Sequence, residues 1–108
     1  YVPRELKEKY PDAKIQLQPS WCGFTGAAQL DPTDSLFTVI GRDFLEEEKK
    51  LYGAHGVYAA DPFHESQPPV DTPEYLRAVG NAIHKLFNDF DPNSISAMQA
   101  WSLREPIV

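Results

Sequence analysis

The chain is 108 residues long, enough for one small domain, and its 42% hydrophobic and 24% charged residues are the balance of a folded chain rather than a disordered one. Its net charge of -6, with lysines grouped only in short mixed-charge stretches ("KEK", "KK"), argues against nucleic-acid binding, which needs clustered cations. No apolar run approaches the length of a membrane span, and a single cysteine, Cys22, excludes an internal disulfide framework.

In chain order, "VPRELKEKYPDA" reads as a short helix closed by Pro11, and "KIQLQ" as a weakly alternating strand. "PSWCGFTGAAQLDPTD" is long and rich in glycine and proline and reads as a loop, of the length that is functional when it occurs in a compact domain. Leu36, Phe37, Ile40, Phe44, Leu45 and Leu51 then follow helical spacing. Thr33 or Asp34 can cap that helix, and Gly53 can stop it. "GVYAAD" fits a short buried strand. A second helix starts at Thr72 as N-cap with Pro73 at the first helical position, where its missing N–H costs nothing. Tyr75, Leu76, Val79, Ile83, Leu86, Phe87 and Phe90 form its apolar stripe, "DPN" ends it, and "SISAMQAW" reads as a further strand. Helices alternating with strands imply an α/β fold with parallel strands, in which chemistry gathers at the strand C-terminal ends.

Glu65 falls just past one such end, in "ADPFHESQPP", with no Lys or Arg within ten residues on either side. Phe63 and His64 precede it and Asp61 lies four residues back. A carboxyl group beside aromatic rings is partly desolvated, and a nearby carboxylate acts in the same direction; both raise its pKa and suit it to donate a proton near neutral pH. From residue type alone, a loop glutamate that caps the next helix or faces water is the plainer alternative. His64 reads as a hydrogen-bond partner. His55, His64 and His84 lack metal-binding spacing, no phosphate-binding glycine fingerprint is present, and neither a metal nor a cofactor is expected. Trp21 and Trp101 fall at loop or strand-end positions, where an aromatic face can stack on a sugar ring, although tryptophan is more often a packing residue. Cys22 has no cationic neighbour to lower its pKa and reads as a small buried side chain.

The run from "LDPTDSLFTVIG" through "YAADPFHESQPP" to "NAIHKLF" resembles glycoside hydrolase family 89, the α-N-acetylglucosaminidases. It carries the "DP" before "F" and "IG", a "YGADxFxExxPP"-type motif, a "P-x-Y-L" helix start and a terminal "Q-x-W" in the same order. The upstream "SWCGF" looks like the family's "SWGHF" loop, with Cys22 and Gly23 in place of "GH". The resemblance covers nearly the whole chain. It implies a (β/α)8 TIM-type barrel of which residues 1–108 form a part, a few βα units cut at both ends. It also implies retaining hydrolysis of a terminal α-linked N-acetylglucosamine. Glu65 stands at the family's general acid/base and Trp101 at a tryptophan that lines the sugar pocket. His64 stands where the lysosomal member has asparagine. The nucleophilic glutamate belongs to a later part of the barrel. Trp21, His64 and Asp61 are the further substrate-binding candidates. The implied partners are a glycan and the remainder of the barrel, with self-association of the piece expected if its apolar faces are left bare. The resemblance places the parent in a secreted, periplasmic or lysosomal compartment. A non-enzymatic sugar-binding or structural barrel segment is the alternative function.

Overall fold

A computed structural model describes residues 1–63 and 66–99. The elements run α1 (Leu6–Lys9), β1 (Ile15–Leu17), β2 (Ala28–Leu30), α2 (Ser35–Tyr52), β3 (Val57–Ala59), α3 (Pro73–Phe90) and β4 (Ile95–Ala97).

The helix boundaries follow from local chemistry. The Asp34 carboxylate accepts from the Leu36 N–H and so caps α2, while its other oxygen accepts from the Lys14 N–H at 2.8 Å and ties the helix start to the lead-in to β1. These two backbone bonds hold the Asp34 carboxyl below its usual pKa. Gly53, at φ 80°, closes the helix with its N–H on the Lys49 carbonyl. At the start of α3, Thr72 Oγ1 accepts from the Tyr75 N–H and Pro73 fixes the first turn.

The expected parallel strands are β3 and β4, joined through α3 and paired Val57↔Ile95, Tyr58↔Ser96 and Ala59↔Ala97. The first two strands differ from expectation. The long stretch read as a loop contains β2, and β2 pairs antiparallel with β1 in the register Ile15↔Leu30, Gln16↔Gln29, Leu17↔Ala28. "AAQL" lacks the β-branched run that marks a strand, and the partner strand rather than local propensity holds it extended.

Two clusters of apolar side chains form the core, and Phe37 on α2 touches both. Ile15, Ala28 and Leu30 pack against Leu36, Phe37 and Ile40. Leu45, Tyr58, Leu86 and Phe87 form the second, in which the Tyr58 ring stacks on Phe87 with centroids 5.5 Å apart and meets Phe90 edge-on at 6.0 Å. The Tyr58 hydroxyl donates to Asp91 at 3.3 Å, which links β3 to the end of α3. Tyr58 is buried on the helix side of β3, whereas its neighbours Val57 and Ala59 are exposed on the opposite face. Ile95, opposite Val57, is 64% exposed. A parallel sheet of a complete α/β domain is covered on both faces, whereas this apolar face is bare among the described residues.

Candidate functional site

Between β1 and β2 the chain folds back on itself at Trp21–Phe24. The Trp21 N–H donates to the Phe24 carbonyl at 3.1 Å and the Phe24 N–H to the Trp21 carbonyl at 2.9 Å. The two residues between them, Cys22 and Gly23, have φ of 48° and 81°, the signs of a type I′ turn, whose twist matches a hairpin. Glycine adopts that conformation at no cost, and Cys22 adopts it under mild strain. Cys22 is exposed at this tip, which corrects its reading as a buried side chain: its left-handed backbone turns it out of the fold. Trp21 and Phe24, on either side of the turn, are 59% and 73% exposed and stand out from the body of the protein. The hairpin base is pinned at Gly26. A Cβ there would sit 1.6 Å from the Gln18 carbonyl oxygen, so only glycine fits. Arg4 holds the Gly26 carbonyl through its guanidinium.

A cleft of about 720 Å³ lies beside this hairpin. Trp21, Phe24, Gln16 and Gln18 line one side, and Ser66 and Gln67 line it from the segment after β3. No Lys, Arg, Asp or Glu side chain is among its described lining residues. The polar groups it offers are amides and hydroxyls, which donate and accept without a fixed charge. Gln18 is oriented by its Nε2 donating to Gln29 Oε1 at 2.7 Å. Gln16 also lines an adjoining cavity of about 420 Å³, walled by Phe63, Tyr75, Asp31 and Lys14.

The approach to residue 64 is tightly determined. Phe63 is buried yet has φ 60°, an uncommon backbone state for a bulky residue, and its ring packs 6.3 Å from that of Tyr75. The Ser66 N–H donates to the Phe63 carbonyl at 3.1 Å. Among the described residues, neither the Ser66 Oγ nor the Tyr75 hydroxyl, both buried, has a hydrogen-bond partner of ordinary geometry. Burial first, and the nearby Asp31 carboxylate second, push the Tyr75 hydroxyl well above its ordinary pKa.

Of the residues singled out in the sequence, Trp21 lines the cleft. Asp61 lies just past β3, half-buried, and its Oδ1 accepts from the Gln99 N–H at 2.8 Å. His64, Glu65 and Trp101 lie outside the described residues. Sequence reasoning missed Phe24, Gln16, Gln18 and Gln67 as cleft residues. The only local signal for the hairpin was Gly23 between two aromatic residues. Among the described residues, no group of His, Cys, Asp or Glu has the arrangement of a metal site, and no helix is long and apolar enough to cross a membrane.

Comparison with known proteins shows the family and the fold. Residues 1–106 match the family model described as the alpha-N-acetylglucosaminidase (NAGLU) TIM-barrel domain. The chain is 31% identical over 105 residues to alpha-N-acetylglucosaminidase of Homo sapiens, covering 94% of this chain and 14% of that protein. It superimposes with a TM-score of 0.72 and 27% identity on a family 89 glycoside hydrolase from Clostridium perfringens in complex with PUGNAc, over 93% of this chain and 12% of that one. The same Clostridium family, in complex with 2-acetamido-1,2-dideoxynojirmycin, matches with a TM-score of 0.70 and 26% identity, over 91% and 12% of the two chains. The chain thus spans roughly an eighth of the length of these relatives. It belongs to the alpha-N-acetylglucosaminidase family, as a portion of that family's TIM-barrel domain.

Proposed function

We propose that the protein containing this chain is a retaining glycoside hydrolase that removes terminal α-linked N-acetylglucosamine from glycans, with Glu65 as general acid/base and the nucleophile in a part of the barrel outside this chain. The observation that carries this reading is the meeting of the Trp21–Phe24 hairpin with Ser66 and Gln67 in one cleft free of charged side chains among its described residues. Glu65 is the residue immediately before Ser66. Family membership supports the activity, and the acetamido ligand named in the Clostridium complex supports the substrate class.

The chemistry requires two carboxyl groups about 5–5.5 Å apart. In the first step the nucleophile's carboxylate bonds to the anomeric carbon, the glycosidic C–O bond breaks, and the Glu65 carboxyl gives its proton to the departing oxygen. In the second, the Glu65 carboxylate takes a proton from water as the water oxygen attacks the same carbon and the nucleophile leaves. Glu65 must begin protonated. A fixed cation beside it would lower its pKa and spoil it as an acid. His64 then hydrogen-bonds the carboxyl or the substrate, and Trp21 and Trp101 offer aromatic faces to sugar rings.

The test is Glu65→Gln in the full-length protein, assayed on substrates with poor and with activated aryl leaving groups. The expected result is loss of kcat/KM by about 10²-fold or more on the poor leaving group and a much smaller loss on the activated one, which needs little protonation. Equal losses on both would overturn the acid assignment.

A further inference from the structure

Asp61 and Gln99 are 38 residues apart, yet the Asp61 Oδ1 accepts the Gln99 N–H at 2.8 Å. The position of this bond is informative. In the β3–β4 register Val57 faces Ile95 and Ala59 faces Ala97, so position 61 would face 99 if β3 continued. It does not continue. The last backbone bond of the pair is Ala60 N–H to the Ala97 carbonyl at 3.3 Å, and within three residues the chain reaches the left-handed Phe63 and leaves the sheet. The Asp61 side chain takes the place of the missing backbone acceptor. It lets the β3 backbone turn away by Phe63 while the end of β4 stays in line.

We infer that Asp61 is a positioning residue: its carboxylate locks the end of β4 to the end of β3 and so sets the spacing between Gln99 and Phe63, two residues before the proposed acid/base. Phe63 completes the mounting. Its buried ring against Tyr75 fixes the chain on the other side of the bend. The role is geometric rather than electrostatic, because what Gln99 requires is an oxygen acceptor at one place. This inference rests on the assignment of Glu65 as the acid/base, and two variants of the full-length protein separate geometry from charge. Asp61→Asn keeps an oxygen at the same reach and removes the charge. Asp61→Glu keeps the charge and moves the carboxylate outward by one methylene.

The expected outcome on a poor-leaving-group glycoside is that Glu loses about tenfold or more in kcat/KM and Asn loses less than Glu, since small misplacements of reacting groups cost rate steeply. On an activated aryl glycoside, Glu loses much less. Hydrogen exchange of the Gln99 amide in the unliganded protein provides a readout independent of turnover: slow in the wild type and Asn, about tenfold or more faster in Glu. The inference is overturned if both variants turn over like the wild type. It is equally overturned if Asn is the more damaging of the two, which would give the role to the charge, or if Gln99 exchange is the same in all three proteins. Should Glu65→Gln contradict the acid/base assignment, the Gln99 exchange still decides whether Asp61 holds the strand end.

Discussion

Gly41 on α2 lies directly against Leu86 on α3, so close that a Cβ on Gly41 would come within 2.5 Å of the Leu86 Cδ2. Leu86 is buried in the cluster with Leu45, Tyr58 and Phe87, so the bare backbone at Gly41 is what lets the two long helices approach. Gly41→Ala gains up to about 1 kcal/mol of helix propensity. Against this stands overpacking of a buried leucine, at about 1–3 kcal/mol, and the net expectation is destabilisation by about 1 kcal/mol. Denaturant unfolding checks it. A double-mutant cycle with Leu86→Ala should show coupling, the double variant losing less than the sum of the two single losses.

Gly26→Ala should be more damaging. The obstacle is the backbone carbonyl of Gln18, which cannot rotate away as a leucine tip can. The expected loss is about 3 kcal/mol, in the range of severe overpacking. Because Gly26 pins the base of the hairpin, affinity for an acetamido-sugar inhibitor should fall with stability. A Gly26→Ala protein of wild-type stability and affinity would show that the hairpin is not held as described.

Trp21→Ala should separate stability from binding. Trp21 is 59% exposed, so melting temperature should change little, whereas loss of a stacking face worth about 1 kcal/mol raises the inhibitor Kd about fivefold. Isothermal titration checks the second part and a thermal scan the first.

Asp34 and Tyr75 set opposite limbs of the pH–stability profile. Asp34 has a lowered folded-state pKa, from its bonds to the Lys14 and Leu36 amides. Its contribution is therefore present above the unfolded value of 3.8 and is lost as pH falls through the folded value. Asp34→Ala should cost about 1 kcal/mol at neutral pH and flatten the acid limb. Tyr75 is shifted upward from 10.0, chiefly by burial, so the unfolded chain ionises first and stability falls as pH rises above 10.0. Tyr75→Phe should flatten the alkaline limb. It should also change stability little at pH 7, because among the described residues the hydroxyl has no hydrogen-bond partner of ordinary geometry, only the nearby Asp31 carboxylate. A marked loss at neutral pH would mean that the hydroxyl has a partner.

Features encoded within a few residues were legible in the sequence. Asp34, Gly53, Thr72 and Pro73 bound the two long helices as read, because caps and stops are local chemistry. The spacing of Leu36, Phe37, Ile40, Phe44, Leu45 and Leu51 correctly gave a helix, but periodicity does not say what covers each face. Phe44 and Leu51 are 69% and 74% exposed because neither faces the described strands as Leu45 does. Non-local features were not legible. β2 exists through its pairing with β1, the Asp61–Gln99 bond spans 38 residues, and the cleft forms only where the hairpin meets the segment after β3. The identity of Glu65 as a candidate came from its place after a strand and from the family motif around it, both readable without coordinates.

Whether Glu65 stays neutral until a glycosidic oxygen takes its proton is most directly measured by a carbon-13 NMR titration of its carboxyl in the full-length, unliganded protein, with Glu65→Gln identifying the signal. The expected result is a midpoint raised well above the ordinary glutamate range, poised for proton transfer near neutrality. A midpoint near the ordinary glutamate value of about 4.3 would contradict it.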